Sequence, residues 1–151
     1  MNPELSFRRP GAGDFQAITA LLGDCGLPAA DLTLASLAHF RVARAGERIV
    51  AVAGLAPIGH CGLLRSVAVV PECRGQGLAS GLVNALEQEA RRLGLTTLYL
   101  LTTSAGEFFA HRGYAVFPRD EAPAALQACA EFRSLCPSTA LCMRKDLAPR
   151  A

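Results

Sequence analysis

A chain of 151 residues that is 51% hydrophobic and 19% charged can bury one well-developed core but not two. Its formal net charge of +2, with both signs scattered along the sequence, leaves no electrostatic footprint for nucleic acid. No apolar stretch reaches the roughly 18 residues of a transmembrane helix, and Met1-Asn2-Pro3-Glu4 carries no signal-peptide pattern. The expectation is therefore a soluble, cytoplasmic protein with no membrane partner. A single domain is expected over residues 1–147, with a loose tail at 148–151. The six cysteines (Cys25, Cys61, Cys73, Cys129, Cys136 and Cys142) include no Cys-x-x-Cys pair, and no His stands at zinc-ligand spacing from two of them. They read as reduced thiols acting as small hydrophobes, and no metal site is expected.

In chain order, Leu5-Ser6-Phe7-Arg8-Arg9-Pro10 alternates and stops at proline, which predicts a first strand. Asp14 opens an apolar-periodic run through Phe15, Ile18, Leu21 and Leu22 that ends at Gly23 to Gly26, a first helix. Asp31 or Thr33 caps a second short helix through Leu34, Leu37 and Phe40. Residues 40–44 and 49–55, separated by Ala45-Gly46-Glu47-Arg48, predict a β-hairpin. A turn at 57–62 then leads into Leu63-Leu64-Arg65-Ser66-Val67-Ala68-Val69-Val70, an apolar run closed by Pro71 that fits a strand buried on both faces.

The next helix places Leu78, Leu82, Leu86, Ala90 and Leu93 on one side. Asn84, Glu87, Gln88, Arg91 and Arg92 fall opposite, and Gly94 is set to end it. Thr97 to Leu101 is a buried strand, parallel to the earlier one because a crossover helix joins them. A short helix over 105–112 is stopped by Gly113, and Ala115 to Pro118 starts a further strand. Asp120-Glu121-Ala122-Pro123 carries N-terminal helix signals before a helix over 124–132, and residues 140–145 close the chain as a strand.

The stretch between the buried strand and its helix, Arg74-Gly75-Gln76-Gly77-Leu78-Ala79-Ser80-Gly81, has the make-up of an anion site. The first N–H groups of a helix lack internal acceptors, and the helix dipole favours negative charge there. Glycines let the backbone approach a phosphate, and Arg74 adds a positive charge. A P-loop would need Lys-Ser/Thr after the second glycine, where Leu78-Ala79 stands. A dinucleotide fingerprint would open near the first strand and be followed by an acidic residue at the end of the next; here that strand ends in Thr102-Thr103. The bland alternative is a tight turn that merely tolerates glycine.

Arg74-x-x-Gly77-x-Ala79 matches the Gln/Arg-x-x-Gly-x-Gly/Ala signature of the GCN5-related N-acetyltransferase (GNAT) superfamily, and on these residues the chain resembles that superfamily. The order of elements extends the resemblance over nearly the whole chain. It implies an α/β fold with a mixed central sheet of about seven strands, helices on both faces and a V-shaped splay between the fourth and fifth strands. It also implies acetyl-CoA as co-substrate, with no metal. The pyrophosphate would lie on Arg74, Gly75, Gln76, Gly77, Leu78, Ala79 and Ser80. The pantetheine arm would pair with Val67, Ala68 and Val69 as an added strand, and the Val69 backbone N–H would be the oxyanion donor.

Leu63-Leu64-Arg65-Ser66-Val67-Ala68-Val69, residues 99–103, residues 118–123 and Ser134-Leu135-Cys136-Pro137 further resemble the arsenic-resistance N-acetyltransferase family. That narrower resemblance implies a primary-amine acceptor that is an amino-acid-like arsenical or related toxic analogue.

Acetyl transfer needs a neutral amine, a donor for the oxyanion and a proton for the leaving thiolate. The superfamily's usual proton donor is a tyrosine, and the matching residue here is Phe109, which is also expected to line the cofactor site. Either the thiolate leaves with water's help, or Ser104, with Thr103, or His111 substitutes for the missing hydroxyl; the alternative reading of His111 is a solvated surface histidine. Arg65 interrupts a buried strand and therefore needs a partner, either a local carboxylate or the acceptor's acid group. Arg119 has the same two readings, and Cys136 is either a thiol facing the acceptor or an inert core cysteine. The missing phenol keeps open a second class of function, a non-catalytic module that binds CoA or an arsenical and acts through a protein partner. The enzyme itself is expected as a monomer or homodimer.

Overall fold

A computed structural model describes residues 7–147. The expected tail at 148–151 and the first two residues of the expected opening strand lie outside the described residues. Six strands form one mixed sheet in the order β1-β2-β3-β4-β6-β5: β1 Phe40–Ala45, β2 Arg48–Ile58, β3 Cys61–Val69, β4 Thr97–Thr102, β5 Ala115–Val116 and β6 Leu141–Asp146. The expected seventh strand is reduced, among the described residues, to one antiparallel bridge between Arg8 and Val42. Pro10, which has no N–H to donate, follows directly and limits the ladder.

The chain divides into two compact units, Met1–Ala56 with Arg65–Glu89, and Pro57–Leu64 with Ala90–Ala151. In the first, α1 (Phe15–Asp24) buries Ile18, Leu21 and Leu22. The second helix expected after Asp31 is only a 3-10 turn, Ala35–His39, and Phe40 already belongs to β1. Thr33 and Ser36 exchange side-chain-to-backbone bonds there (3.0 and 3.3 Å), the local competition that keeps hydroxyl residues out of regular helix. β1 and β2 form the expected hairpin, with a register shift between Ala43 and Arg44. Gly54 of β2 leaves room for the Phe40 ring, which a Cβ at that position would approach to 2.4 Å.

Helix α2, Leu78–Arg92, buries Leu82, Val83, Leu86 and Ala90. It ends as expected, with Gly94 at φ +80 and Leu95 N–H donating to the Ala90 carbonyl (3.0 Å). Two expectations for its faces fail. Leu93 lies beyond the last helical residue and is exposed, while Glu87, expected on the polar face, is buried. Glu89 is buried as well, paired with Arg9 at 3.6 Å and Arg41 at 3.4 Å and with the His39 ring 3.2 Å away.

In the second unit the start of β3 pairs in parallel with β4 over three positions, Cys61 with Thr97, Gly62 with Leu98 and Leu63 with Tyr99. β4 then pairs antiparallel with β6 over six positions, from Thr97 with Asp146 to Thr102 with Leu141, and β5 adds two pairs on β6. α3 (Gly106–Ala110) closes with Gly113 at φ +94. The helix expected over 124–132 is broken. α4 covers only Ala124–Gln127, and a wide turn follows at Glu131–Leu135, with Cys136 N–H donating to the Glu131 carbonyl (3.1 Å). Arg119 donates to the carbonyls of Phe132 (2.9 Å) and Pro137 (2.7 Å) in the segment beyond the break.

Candidate active site

The signature loop is built as its sequence demands. β3 ends at Val69, Val70 N–H donates to the Val50 carbonyl (2.9 Å), and Pro71–Cys73 makes a 3-10 turn. Gly75 and Gly77 follow at φ +80 and +82, the left-handed region that costs glycine nothing. Gly81 N–H donates to the Gly77 carbonyl (3.0 Å), so Gly77 caps α2 and the N–H groups of its first turn have no acceptor inside the helix. A Cβ built on Gly75 or Gly77 meets nothing within 4 Å, so open space lies in front of the loop. Free N–H groups at a helix start favour an anion.

Arg74 is folded back rather than extended. Its Nε donates to the Val69 carbonyl (3.0 Å), and its Nη2 lies 3.9 Å from the Cys25 sulfur. The guanidinium thereby ties the end of β3 to the loop while keeping its charge beside the glycines. The Cys25 sulfur also lies 4.0 Å from the Val69 carbonyl, a neighbour of the loop that sequence reasoning had passed over.

β3 itself carries a distortion that no residue type in the strand announces. Ser66 has φ +58, alone among the described non-glycine residues in lying at positive φ, and it is buried. Serine is not a residue that advertises this conformation. Beyond it Val67 and Val69 are half-buried and Ala68 is buried, the alternation of a strand with one face open.

Arg65, immediately before Ser66, is buried, and its fork grips a carboxylate. Nη1 and Nη2 donate to Asp31 Oδ2 (2.5 Å) and Oδ1 (2.8 Å), and Nε donates to Ser66 Oγ (3.1 Å). Bonding to the guanidinium, opposed by partial burial, holds the Asp31 carboxyl below its usual range. The local-carboxylate reading of Arg65 is the one the geometry favours. The acceptor-anchor reading loses the free fork on which it rested.

The remaining nominated residues belong to the second unit. Phe109 is buried, with its ring edge-on to Phe108 (5.0 Å between centroids) and Tyr114 (5.6 Å). Ser104 is exposed at the end of β4, where Thr102 Oγ1 accepts from the backbone N–H of Ser104 (3.4 Å) and Ala105 (2.9 Å). His111 is exposed after α3. Arg119, besides its bonds to the Phe132 and Pro137 carbonyls, lies over the Phe132 ring at 5.5 Å, and its named partners are all in its own unit. It borders a cavity of about 300 Å³ with Asp120, Gln127 and Phe132. The half-buried Cys136 thiol lies 3.7 Å from Glu131 Oε2, as a donor to a buried carboxylate. Among the described residues no cluster of three His, Cys, Asp or Glu side chains is placed to hold a metal ion, and no helix is long and apolar enough to cross a membrane.

The profile of the acetyltransferase (GNAT) family matches residues 17–116, so the chain belongs to that family. The amino-acid acetyltransferase of Pseudomonas putida KT2440 is 38% identical over 89 residues, which are 58% of this chain and 21% of that protein. The chain thus spans about a fifth of the length of such curated relatives. Among solved structures, N-acetylglutamate synthase from Neisseria gonorrhoeae, complexed with coenzyme A and N-acetyl-glutamate, superposes with a TM-score of 0.84 at 24% identity, covering 98% of this chain and 36% of that one. Rv2747 from Mycobacterium tuberculosis, in complex with CoA, gives 0.77 at 25% identity, covering 95% and 99%. The curated relative named here is called an amino-acid acetyltransferase and not an arsenic-resistance enzyme.

Proposed function

We propose that this chain moves the acetyl group of acetyl-CoA to the α-amine of an amino acid or an amino-acid-like small molecule. The observation that carries the proposal is the loop, with two glycines at φ +80 and +82 opening directly into α2 and clear space before them. The names of the curated relatives support an amino-acid acceptor. In this reading the loop amides and Arg74 take the pyrophosphate, and the open face of Val67 to Val69 takes the pantetheine arm as an added strand. The amine nitrogen attacks the thioester carbonyl, the Val69 N–H receives the oxyanion, and the C–S bond breaks to release a thiolate that must be protonated. Holding the amine in line supplies roughly 7 kcal/mol or more of the barrier reduction. With Phe109 at the usual phenol position, Ser104, His111 or water delivers that last proton.

Within this acceptor class an amino-acid arsenical is the narrower reading, supported by the resemblance of residues 63–69 and 134–137. One experiment tests both. Free thiol release from acetyl-CoA is followed over the twenty common L-amino acids and over an arsinate or phosphinate amino-acid analogue. Preference for the analogue supports the arsenic-resistance reading, and preference for a common amino acid removes it. Phe109 is the specific observation behind the rival, a CoA-binding module without catalysis. CoA binding by calorimetry with no thiol release over the whole panel would establish that rival.

A further inference from the structure

The Asp31–Arg65–Ser66 chain invites a question the reaction itself does not answer: why a buried strand spends a bidentate ion pair just before its distorted residue. A non-glycine residue at φ +58 persists only where its surroundings over-determine it. A chain of contacts leads to Ser66. Its Oγ accepts from Arg65 Nε (3.1 Å), and Arg65 is itself fixed by both carboxylate oxygens of Asp31, 34 residues earlier in the chain. A guanidinium held in a two-point fork cannot swing, so its third donor keeps a fixed direction toward the Ser66 hydroxyl. The residues that follow the distortion, Val67 to Val69, are the ones assigned above to the pantetheine arm and the oxyanion. Their direction depends on Ser66 because a residue at positive φ turns the chain that follows it out of regular extended geometry.

We infer that Asp31 is a positioning residue for acetyl transfer: through Arg65 it clamps Ser66 at its positive φ and so aims the Val67–Val69 backbone at the acyl end of the co-substrate. This rests on the proposed use of those three residues. The pyrophosphate loop has its own support, from the glycine conformations and the Arg74–Val69 bond, and does not depend on the clamp.

That independence gives the test. Acetyl-CoA reaches both the loop and the strand, whereas ADP carries the pyrophosphate and adenosine but no pantetheine arm. Affinities for both are measured by calorimetry on the wild-type full chain, Asp31→Asn and the double variant Asp31→Asn/Ser66→Gly. Asp31→Asn is expected to lose about ten-fold in acetyl-CoA affinity while ADP affinity stays within two-fold. Ser66→Gly is expected to restore most of the loss, because glycine holds positive φ without a clamp. A general structural role for Asp31 would depress both ligands and would not be rescued by glycine. Parallel losses for acetyl-CoA and ADP overturn the inference, and so does an Asp31→Asn protein that binds acetyl-CoA normally. A lowered KM for the amino-acid acceptor in that variant would return Arg65 to the acceptor and also defeat the clamp. Wild-type protein that binds neither ligand would instead defeat the proposed function.

Discussion

Residues 61–92 and residues 104–147 reach their structures by different means. In the first stretch the backbone supplies the chemistry: a strand with one non-glycine residue at φ +58, a loop with two glycines near φ +80, and a helix that starts where the loop ends. In the second, short pieces of helix and a two-residue strand are held by side chains that reach for carbonyls, Arg119 to Phe132 and Pro137, Lys145 to Arg112, and Gln127 to Asp120 and Ala122. The difference teaches where a sequence motif can be trusted. A backbone site is written in residue types that restrict φ, whereas a side-chain clamp is written in residues that serve equally well on a surface.

The largest effect should come from breaking the backbone site. Gly77→Val puts a β-branched side chain at φ +82 and into the space before the loop. Acetyl-CoA affinity should fall by about a hundred-fold or more, equivalent to losing two charge-assisted contacts of roughly 1.5 kcal/mol each. Gly46→Val is the control, because Gly46 lies at φ +62 with equally open surroundings in the β1–β2 turn. Both variants should lose on the order of 1–3 kcal/mol of stability to backbone strain, and only the first should lose co-substrate. Unchanged affinity in Gly77→Val, measured by calorimetry, would remove the loop from the site.

Arg119→Ala makes the matching change in the second stretch. Carbonyls now met by a guanidinium would need new donors, and the expected cost is about 1.5–3 kcal/mol in denaturant unfolding, with acetyl-CoA affinity unchanged. A selective loss of acceptor kcat/KM at normal stability would instead restore Arg119 to the acceptor site.

A third, smaller effect follows from Asp31. Its carboxyl is held below the ordinary value of 3.8, chiefly by its bonds to Arg65. A depressed folded-state pKa contributes stability that is fully present above the unfolded value and is lost as pH falls through the folded one. The stability gap between wild type and Asp31→Asn should therefore be constant from neutral pH down to about 5, and should narrow progressively below 4. A gap that stays constant to pH 2 would show that the ion pair contributes nothing through the charge of Asp31.

The sequence was legible wherever one residue type answers one physical demand. Gly75 and Gly77 marked the loop, the apolar spacing of Leu78, Leu82 and Leu86 gave α2, and Gly94 marked its end. It was illegible where a distant partner decides the outcome. Glu89 looks like a surface residue until Arg9, Arg41 and His39 gather around it. The helix expected over 124–132 stops at Gln127, and the segment beyond it is held by Arg119, whose bond to the Phe132 carbonyl is not visible in the sequence. Ser66 is the hardest case, since nothing in its type or its neighbours signals positive φ, and its contact with the Asp31–Arg65 fork comes from a residue far back in the chain.

Phe109 sharpens the same contrast with the smallest effect, because it is a side-chain position in the less legible stretch that the resemblance nonetheless assigned to chemistry. Its ring is buried edge-on against Phe108 and Tyr114. Phe109→Tyr adds one hydroxyl to that cluster. A hydroxyl buried without a partner costs roughly 1–3 kcal/mol, while one that finds a donor, an acceptor or water costs little. If the position corresponds to the superfamily's acid, the added hydroxyl meets the leaving thiolate: stability should fall by under about 1 kcal/mol, turnover should hold or rise a few-fold, and a new limb should appear in the pH–rate profile near pH 10. Wild-type protein should show no tyrosine limb. If instead the variant loses stability by the full cost of an unpartnered hydroxyl and gains no limb, Phe109 is a core residue and the proton must be delivered from another element. A collapse of turnover at unchanged stability and co-substrate affinity would mean that the bare ring is itself needed at the reacting centre, and that the acid position has been placed on the wrong residue.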